Sequence, residues 1–344
     1  MTLKYSLDLL INVLSYALFY TYFAIQYISF SINNKSIKDL LEQVQRTYNK
    51  LIDKNEISIM EKYSTYAKRY TIAFSLIVIF VGITLIFYIF WPQIFDILFP
   101  INGTWSHSLL PLMTEYFIDQ EKYFYLILFH ATIAFIIGAL AALAIGTILI
   151  VCYEHACGMF RIASYRIERA MEIQILKRKN SLEKKNLIYK KLICAVVMHR
   201  NAIEFSEMIL SKVKVMMYCM LLDGMITTSI NLFRTFQMIS YGFKTMELFL
   251  HVIFCIIDFT YIIIINYFGQ KIIDNNNKVF VTVYDVQWYV APLQVQKMIL
   301  FLLQRSNKTF TMNIDGLMTG SLENAASLLS AAVSYFAILH STQN

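Results

Sequence analysis

The last apolar stretch of the chain, Gly316–Ser341, carries polar groups at helical spacing. Thr319, Glu323, Ser327, Ser330, Ser334, Ile338 and Ser341 follow one another by three or four residues, so on an α-helix they share one narrow face. Leu317, Leu328, Leu329 and Phe336 fall on the opposite side. An ionised side chain at the middle of a bilayer costs about 3 kcal/mol on insertion scales. Polar groups at that depth therefore face other helices or water. A row of small hydroxyls suits a water-filled path, Glu323 favours cations in it, and Ile338 supplies an apolar constriction that can block conduction by dewetting. The small residues also suit a second use. Gly316 and Gly320 form GxxxG, and Ser327/Ala331 and Ser330/Ser334 continue the spacing, which lets helices approach closely inside one bundle. Spacing alone fits either.

Other groups carry less chemistry. His251 and Asp258 are seven residues apart and can face one side of a helix, where Asp258 pairs with a neighbouring helix or makes a polar corner. Cys152, His155 and Cys157 are too few for a zinc site, and packing explains them better. The five cysteines have no disulfide or metal spacing. There is no P-loop, GxSxG or HExxH motif and no plausible catalytic pair of carboxylates. No enzyme and no cofactor is expected. The basic run Leu176–Lys191 reads as a solvated helix face near anionic lipid rather than a nucleic-acid site.

These residues need elements to hold them. The chain has 344 residues, 58% hydrophobic and only 15% charged, against about 25% charged in a soluble domain. An all-α, polytopic membrane protein is expected. Six segments are long and apolar enough to cross a ~30 Å hydrocarbon core: Leu9–Phe30, Tyr70–Phe90, Tyr123–Cys152, Val215–Phe233, Leu248–Phe268 and Leu317–Leu339. The fourth holds Asp223 and is the weakest. Period-two strands of about ten residues, the mark of a membrane barrel, are absent. The first segment is too long and aromatic for a signal peptide.

Loop charges orient the spans, because Lys and Arg stay on the cytoplasmic side. Ser31–Arg69 carries eight basic and five acidic residues, Val151–Ser211 eleven and six, and Lys271–Ile314 five and two. Trp91–Lys122 carries one basic residue against four acidic ones and is expected outside. The sequon at Asn102 lies in that loop, a candidate glycosylation site. Both chain ends are then outside. The expected units are 1–154, outer-facing sensor helices and their loops; 155–211, a cytoplasmic helical loop; 212–270, the fourth and fifth spans; 271–314, a cytoplasmic anchor segment; and 315–344, a pore-lining helix.

The final hundred residues resemble the insect odorant receptors. The resemblance rests on the order of Tyr284, Trp288-Tyr289, Pro292, "QKMILFLLQRS" and a terminal Ser334-Tyr335-Phe336. "CYEHACGMFRIASYRIE" after the third span is similar to the family's intracellular loop, and looser similarity covers most of the chain. The resemblance implies an odorant-gated cation channel of seven spans, with an outer carboxyl terminus, assembled as a tetramer with a shared co-receptor subunit in the plasma membrane of sensory neurons. The first of the seven spans is expected to be missing here. The family's last span lines the pore. By the match of Tyr335-Phe336-Ala337-Ile338, Ile338 corresponds to the hydrophobic gate and Ser341 to a polar pore residue beyond it. Glu323, Ser327 and Ser334 complete the expected pore lining.

The resemblance also implies a small apolar odorant pocket in the outer half of the early spans and the sixth. Outer halves, placed by orientation, contain Tyr16, Phe87, Tyr88, Trp91, Phe124, His130, Phe254 and Asp258. Aromatic walls with one or two polar groups are normal for small-molecule sites. The partners expected are a small volatile odorant, the co-receptor subunit and membrane lipid, with no nucleic acid. A gustatory-type receptor channel and a secondary transporter are the competing readings. Neither internal repeats nor paired Gly/Pro breaks favour the transporter.

Overall fold

The computed structural model describes residues 2–98, 122–175, 181–241, 245–306, 313–314 and 318–341. They form α1 (Thr2–Asn49), α2 (Lys54–Leu98), α3 (Phe124–Ile175), α4 (Ser181–Tyr241), α5 (Thr245–Asp285), a single 3-10 turn at Trp288–Val290, α6 (Leu293–Ser306) and α7 (Leu322–Ser341). The all-helical fold expected from composition is present. The one local departure is a ladder of two-residue strands, Asn313–Ile314 (β1) and Met318–Thr319 (β2), paired antiparallel before α7. Asn102, Gly316 and Leu317 lie outside the described residues.

Long helices follow from a chain with only 10 Gly and 4 Pro, since these residues break helices most strongly. The boundaries carry local signals. Asp53 accepts the backbone N–H of Asn55 at 2.9 Å and starts α2. Pro292, which has no N–H to lose, precedes α6 and accepts from Val295 at 2.8 Å. Ser321 Oγ accepts from the Asn324 backbone at 3.2 Å and caps α7.

Five of the six apolar segments coincide with stretches of α1–α5, the third starting one residue before α3; the sixth is helical only from Leu322, since Met318–Thr319 forms β2, so Thr319 is not on the helix that carries Glu323 and the serines. Four described stretches are long and apolar enough to cross a membrane: Val13–Asn49, Lys54–Tyr88, Phe124–Glu172 and Leu248–Asp285, with Leu322–Ile338 a shorter apolar helix. The α4 stretch around Asp223 is not among them. Its polar groups are turned inward: Asp223, Thr227, Thr228, Ser229 and Asn231 are all buried. Large apolar side chains such as Leu76, Phe80, Ile83, Phe129 and Leu140 point outward, as a lipid-facing surface requires.

The helices run far beyond a bilayer. α4 has 61 residues, about 90 Å at the α-helical rise. The segments 155–211 and 271–314 are thus mostly extensions of α3, α4 and α5, plus α6. These extensions build the largest core. It takes Met60 from α2, Phe160 and Ile167 from α3, Leu192 and Phe205 from α4, Ile272 and Val279 from α5, and Val295 and Ile299 from α6. Here Cys152 and Cys157 are buried, and His155 sits edge-on to Phe205, ring centroids 5.4 Å apart. Polar ties cross the same region. Arg166 of α3 makes two 2.7 Å bonds to buried Glu56 of α2 and donates to the Cys194 carbonyl of α4 at 3.0 Å. Lys271 of α5 donates to Glu154 of α3 at 2.5 Å.

α3 packs against α1, α2, α4 and α5, and α7 packs against α4 and α5. Gly269 of α5 meets the Gly320 carbonyl so closely that a Cβ there would collide with it. Buried Asn266, one turn earlier, accepts from the Ser321 backbone N–H at 3.2 Å. Together they fix the position where α7 begins.

Candidate functional site

Between α1, α2, α3, α4 and α5 lies a cavity of about 210 Å³. The α2 and α3 walls are apolar apart from Tyr153. They present Phe74, Ile77, Val78, Val81 and Leu85 from α2, and Phe135, Ala139, Ala142, Ile145 and Leu149 from α3. Small residues make the space. Gly146 sits where any side chain would overlap the ring of Phe74, and Ala139 and Ala142 leave room a turn further along. On the α1 side, Phe19 stacks on Phe254 at 4.6 Å and 20°, and Tyr22 meets Tyr261 edge-on at 5.3 Å. Offset and edge-to-face ring pairs of this kind add about 0.5–1.5 kcal/mol each beyond their buried area.

Polar groups gather on the other side of the cavity. Gln26 comes from α1, Asp223 and Thr227 from α4, and Asp258 from α5. Asp258 Oδ2 accepts from Thr228 at 3.2 Å. Beside it, Asn231 is a hub. Its Oδ1 accepts from Ser15 of α1 and from His251 Nδ1 of α5, both at 2.7 Å, while its Nδ2 donates to the Thr227 carbonyl at 2.9 Å. Ser229, on the adjacent face of α4, reaches the Ala332 carbonyl of α7 at 3.3 Å. Two helices, α4 and α5, thus touch both the cavity and α7.

The pocket residues expected from sequence divide. Phe254 and Asp258 line the cavity. Tyr16 packs edge-on to Phe254 at 6.3 Å, just outside it. Tyr88 is buried in the same cluster and Phe124 packs against it. Phe87 is 51% exposed with Trp91 tilted against it at 5.1 Å, and His130 is exposed. The cavity lies nearer the middle of α2 and α3 than Phe87, Trp91 and His130 do. Sequence reasoning missed Phe19, Tyr22, Phe23 and Gln26, although their spacing puts them on one face of α1. It also missed the run of small residues in α3 that hollows the opposite wall.

α7 turns its serines away from its own bundle. Ala325, Leu328 and Ala332 are buried, whereas Glu323, Ser327, Ser330, Ser334, Ile338 and Ser341 are exposed. Ser327 donates to the Glu323 carbonyl at 3.1 Å, Ser330 to Ala326 at 2.9 Å, Ser334 to Ser330 at 2.9 Å and Ser341 to Ile338 at 2.8 Å. A hydroxyl has one hydrogen and two lone pairs. With each hydrogen given to the helix backbone, the outward face of these serines offers oxygen acceptors, the chemistry that a cation seeks.

The family model described as 7tm Odorant receptor matches residues 6–333. This chain belongs to the 7tm odorant receptor family. The fold agrees with solved relatives. The structure of the insect olfactory receptor OR5 from Machilis hrabei in complex with eugenol superposes with a TM-score of 0.78 at 13% identity, covering 98% of this chain and 82% of that one. A second structure of the same receptor gives a TM-score of 0.63 at 15% identity, covering 96% and 80%. No curated protein matches this odorant receptor by sequence. Composition, apolar helices and family together make it a multi-pass helical membrane protein of the olfactory class.

Proposed function

We propose that this receptor is the odorant-binding subunit of a ligand-gated, non-selective cation channel. It assembles as a tetramer with a shared co-receptor subunit in the plasma membrane of sensory neurons. The basic half is cytoplasmic and the carboxyl terminus extracellular. α7 lines the pore, with Glu323, Ser327, Ser334 and Ser341 along the ion path and Ile338 as the apolar gate. The observation that carries this reading is the outward-facing serine row, whose hydroxyl hydrogens are all spent on the helix itself. The aromatic cavity takes the odorant, and α4, in contact with both cavity and α7, relays the change.

Eugenol, the molecule bound in one related receptor, is a compact, mainly apolar aromatic, and the cavity here has a size and lining suited to such ligands. At about 0.3–0.8 kcal/mol per heavy atom, a volatile of about ten atoms binds at roughly micromolar strength or weaker.

The test is current recording from cells that express the chain with the co-receptor. Odorant-evoked cation current is expected; saturable uptake without unitary conductance would reject the channel. Ala142→Phe should fill much of the cavity and reduce odorant sensitivity at least tenfold with surface expression unchanged, and an unaltered dose–response curve removes the cavity from the role. Ile338→Ala should raise resting leak several-fold, and unchanged leak in a channel present at the surface removes Ile338 as the gate.

A further inference from the structure

Two buried polar atoms in the cavity wall have no partner. Gln26 Oε1 and Thr227 Oγ1 are shielded from solvent and make no hydrogen bond among the described residues. Both side chains line the cavity, and their residues are 5% and 4% exposed. A buried polar atom left unpaired costs about 1–3 kcal/mol, and in a cavity wall a bound molecule can supply the missing partner.

The same wall is rich in acceptors. Asp258, which also lines the cavity, accepts the Thr228 hydroxyl at Oδ2. Asp223 is 7% exposed and lines the cavity with no ion pair or hydrogen bond among the described residues. A carboxyl group, ionised or not, keeps at least one acceptor oxygen. The opposite wall, from α2 and α3, is apolar but for Tyr153. The cavity is therefore two-sided, with a greasy face for a hydrocarbon body and a polar face in which Gln26 Oε1, a carbonyl oxygen that can only accept, lacks a donor.

We infer that the preferred ligands are small apolar molecules that carry a hydrogen-bond donor, an alcohol, phenol or amine, and that Gln26 Oε1 receives that donor. Molecules of the same shape that only accept, such as ethers and esters, leave Gln26 Oε1 unpaired and are disfavoured. This rests on the cavity being the odorant site. It goes further by setting the polarity of the ligand.

The experiment is direct binding to the purified full-length receptor, without recourse to current, using matched pairs that differ by one O-methyl group. The pairs are eugenol and methyleugenol, 2-phenylethanol and its methyl ether, and hexan-1-ol and its methyl ether; 2-phenylethylamine probes the amine. In each pair that binds, the donor member should bind about three- to tenfold more tightly, the range of one neutral hydrogen bond. Gln26→Leu should bring the two members to within about twofold, chiefly by weakening the donor. Thr227→Val is the second variant if Gln26→Leu folds poorly, and the wild-type pairs decide the matter without either. Equal affinity of both members across the pairs, or a gap that survives Gln26→Leu intact, overturns the inference and leaves the cavity standing as the site. If no compound binds, the cavity reading falls and the inference with it.

Discussion

Replacing Lys271 by methionine should destabilise the receptor by about 3–5 kcal/mol, the usual result of removing one partner from a buried ion pair. Glu154 has a side chain only 1% exposed and Lys271 one 18% exposed. The ammonium is the ion-pair partner of that carboxylate, and Glu154 Oε2 already lacks a hydrogen bond among the described residues. Methionine keeps most of the stem. Its packing against the rings of Tyr66 and Tyr70, over which the ammonium now sits at 5.3 and 4.6 Å, is largely retained. The loss is then mainly electrostatic. A detergent-purified Lys271→Met variant should melt about 5–10 °C below the native protein. The double variant Lys271→Met/Glu154→Leu should recover most of that difference, because an apolar pair of similar volume replaces a buried ion pair at little cost. A single variant that melts with the native protein would show that Glu154 carries no charge needing compensation.

The second large effect is expected at Gly269. A Cβ at this position would run into the Gly320 carbonyl, its α-carbon and its carbonyl carbon. Backbone cannot swing aside as a side chain can, so α5 and the start of α7 must separate. Overpacking of this kind costs about 1–3 kcal/mol or more. Separation would also pull Asn266 from the Ser321 N–H that it accepts at 3.2 Å and from the Asn324 amide at 3.4 Å. Gly269→Val should therefore give little monodisperse protein by size-exclusion chromatography, with Gly269→Ala intermediate. In any channel that reaches the surface, the resting current should change as well, since α7 no longer starts from a fixed point. Native-like elution, melting and current for Gly269→Val would mean that the two helices do not need this contact.

Much of the architecture is legible in the sequence because lipid imposes simple demands on length and polarity. Five of the apolar segments and most of the sixth lie on helices, and the sorted polar face of α7 is turned away from its own bundle. What charge density cannot show is where a helix stops. Basic residues mark the end of the lipid, yet α3 continues unbroken past Cys152 to Ile175. The charge-rich segment that reads as a helical loop holds, among the described residues, fully buried side chains such as Phe160, Ile167, Leu192 and Phe205. The cavity was partly hidden for a different reason. Outer-end aromatics can be chosen from orientation, but a void depends on how five helices sit side by side. It opens where small α3 residues, Ala139, Ala142 and Gly146, face the aromatic row of Phe19, Tyr22 and Phe23, a juxtaposition with no local signature. α4 misled in a third way. Its apolar stretch is weak because Asp223, Thr227, Thr228 and Asn231 serve neighbouring helices, and the same helix reaches α7 through Ser229.

The core formed by the extensions of α2 to α5 together with α6 holds most of the fully buried large side chains, among them Phe160, Phe205, Met159 and Ile209. It lies beyond the cavity-bearing half of the helices. Foldability is thereby anchored in one end of the molecule while the cavity lies in the other. A lineage can exchange rings and small residues around the cavity while the anchored end continues to secure the fold. Changes in the cavity lining and the security of the fold are, in this architecture, separable.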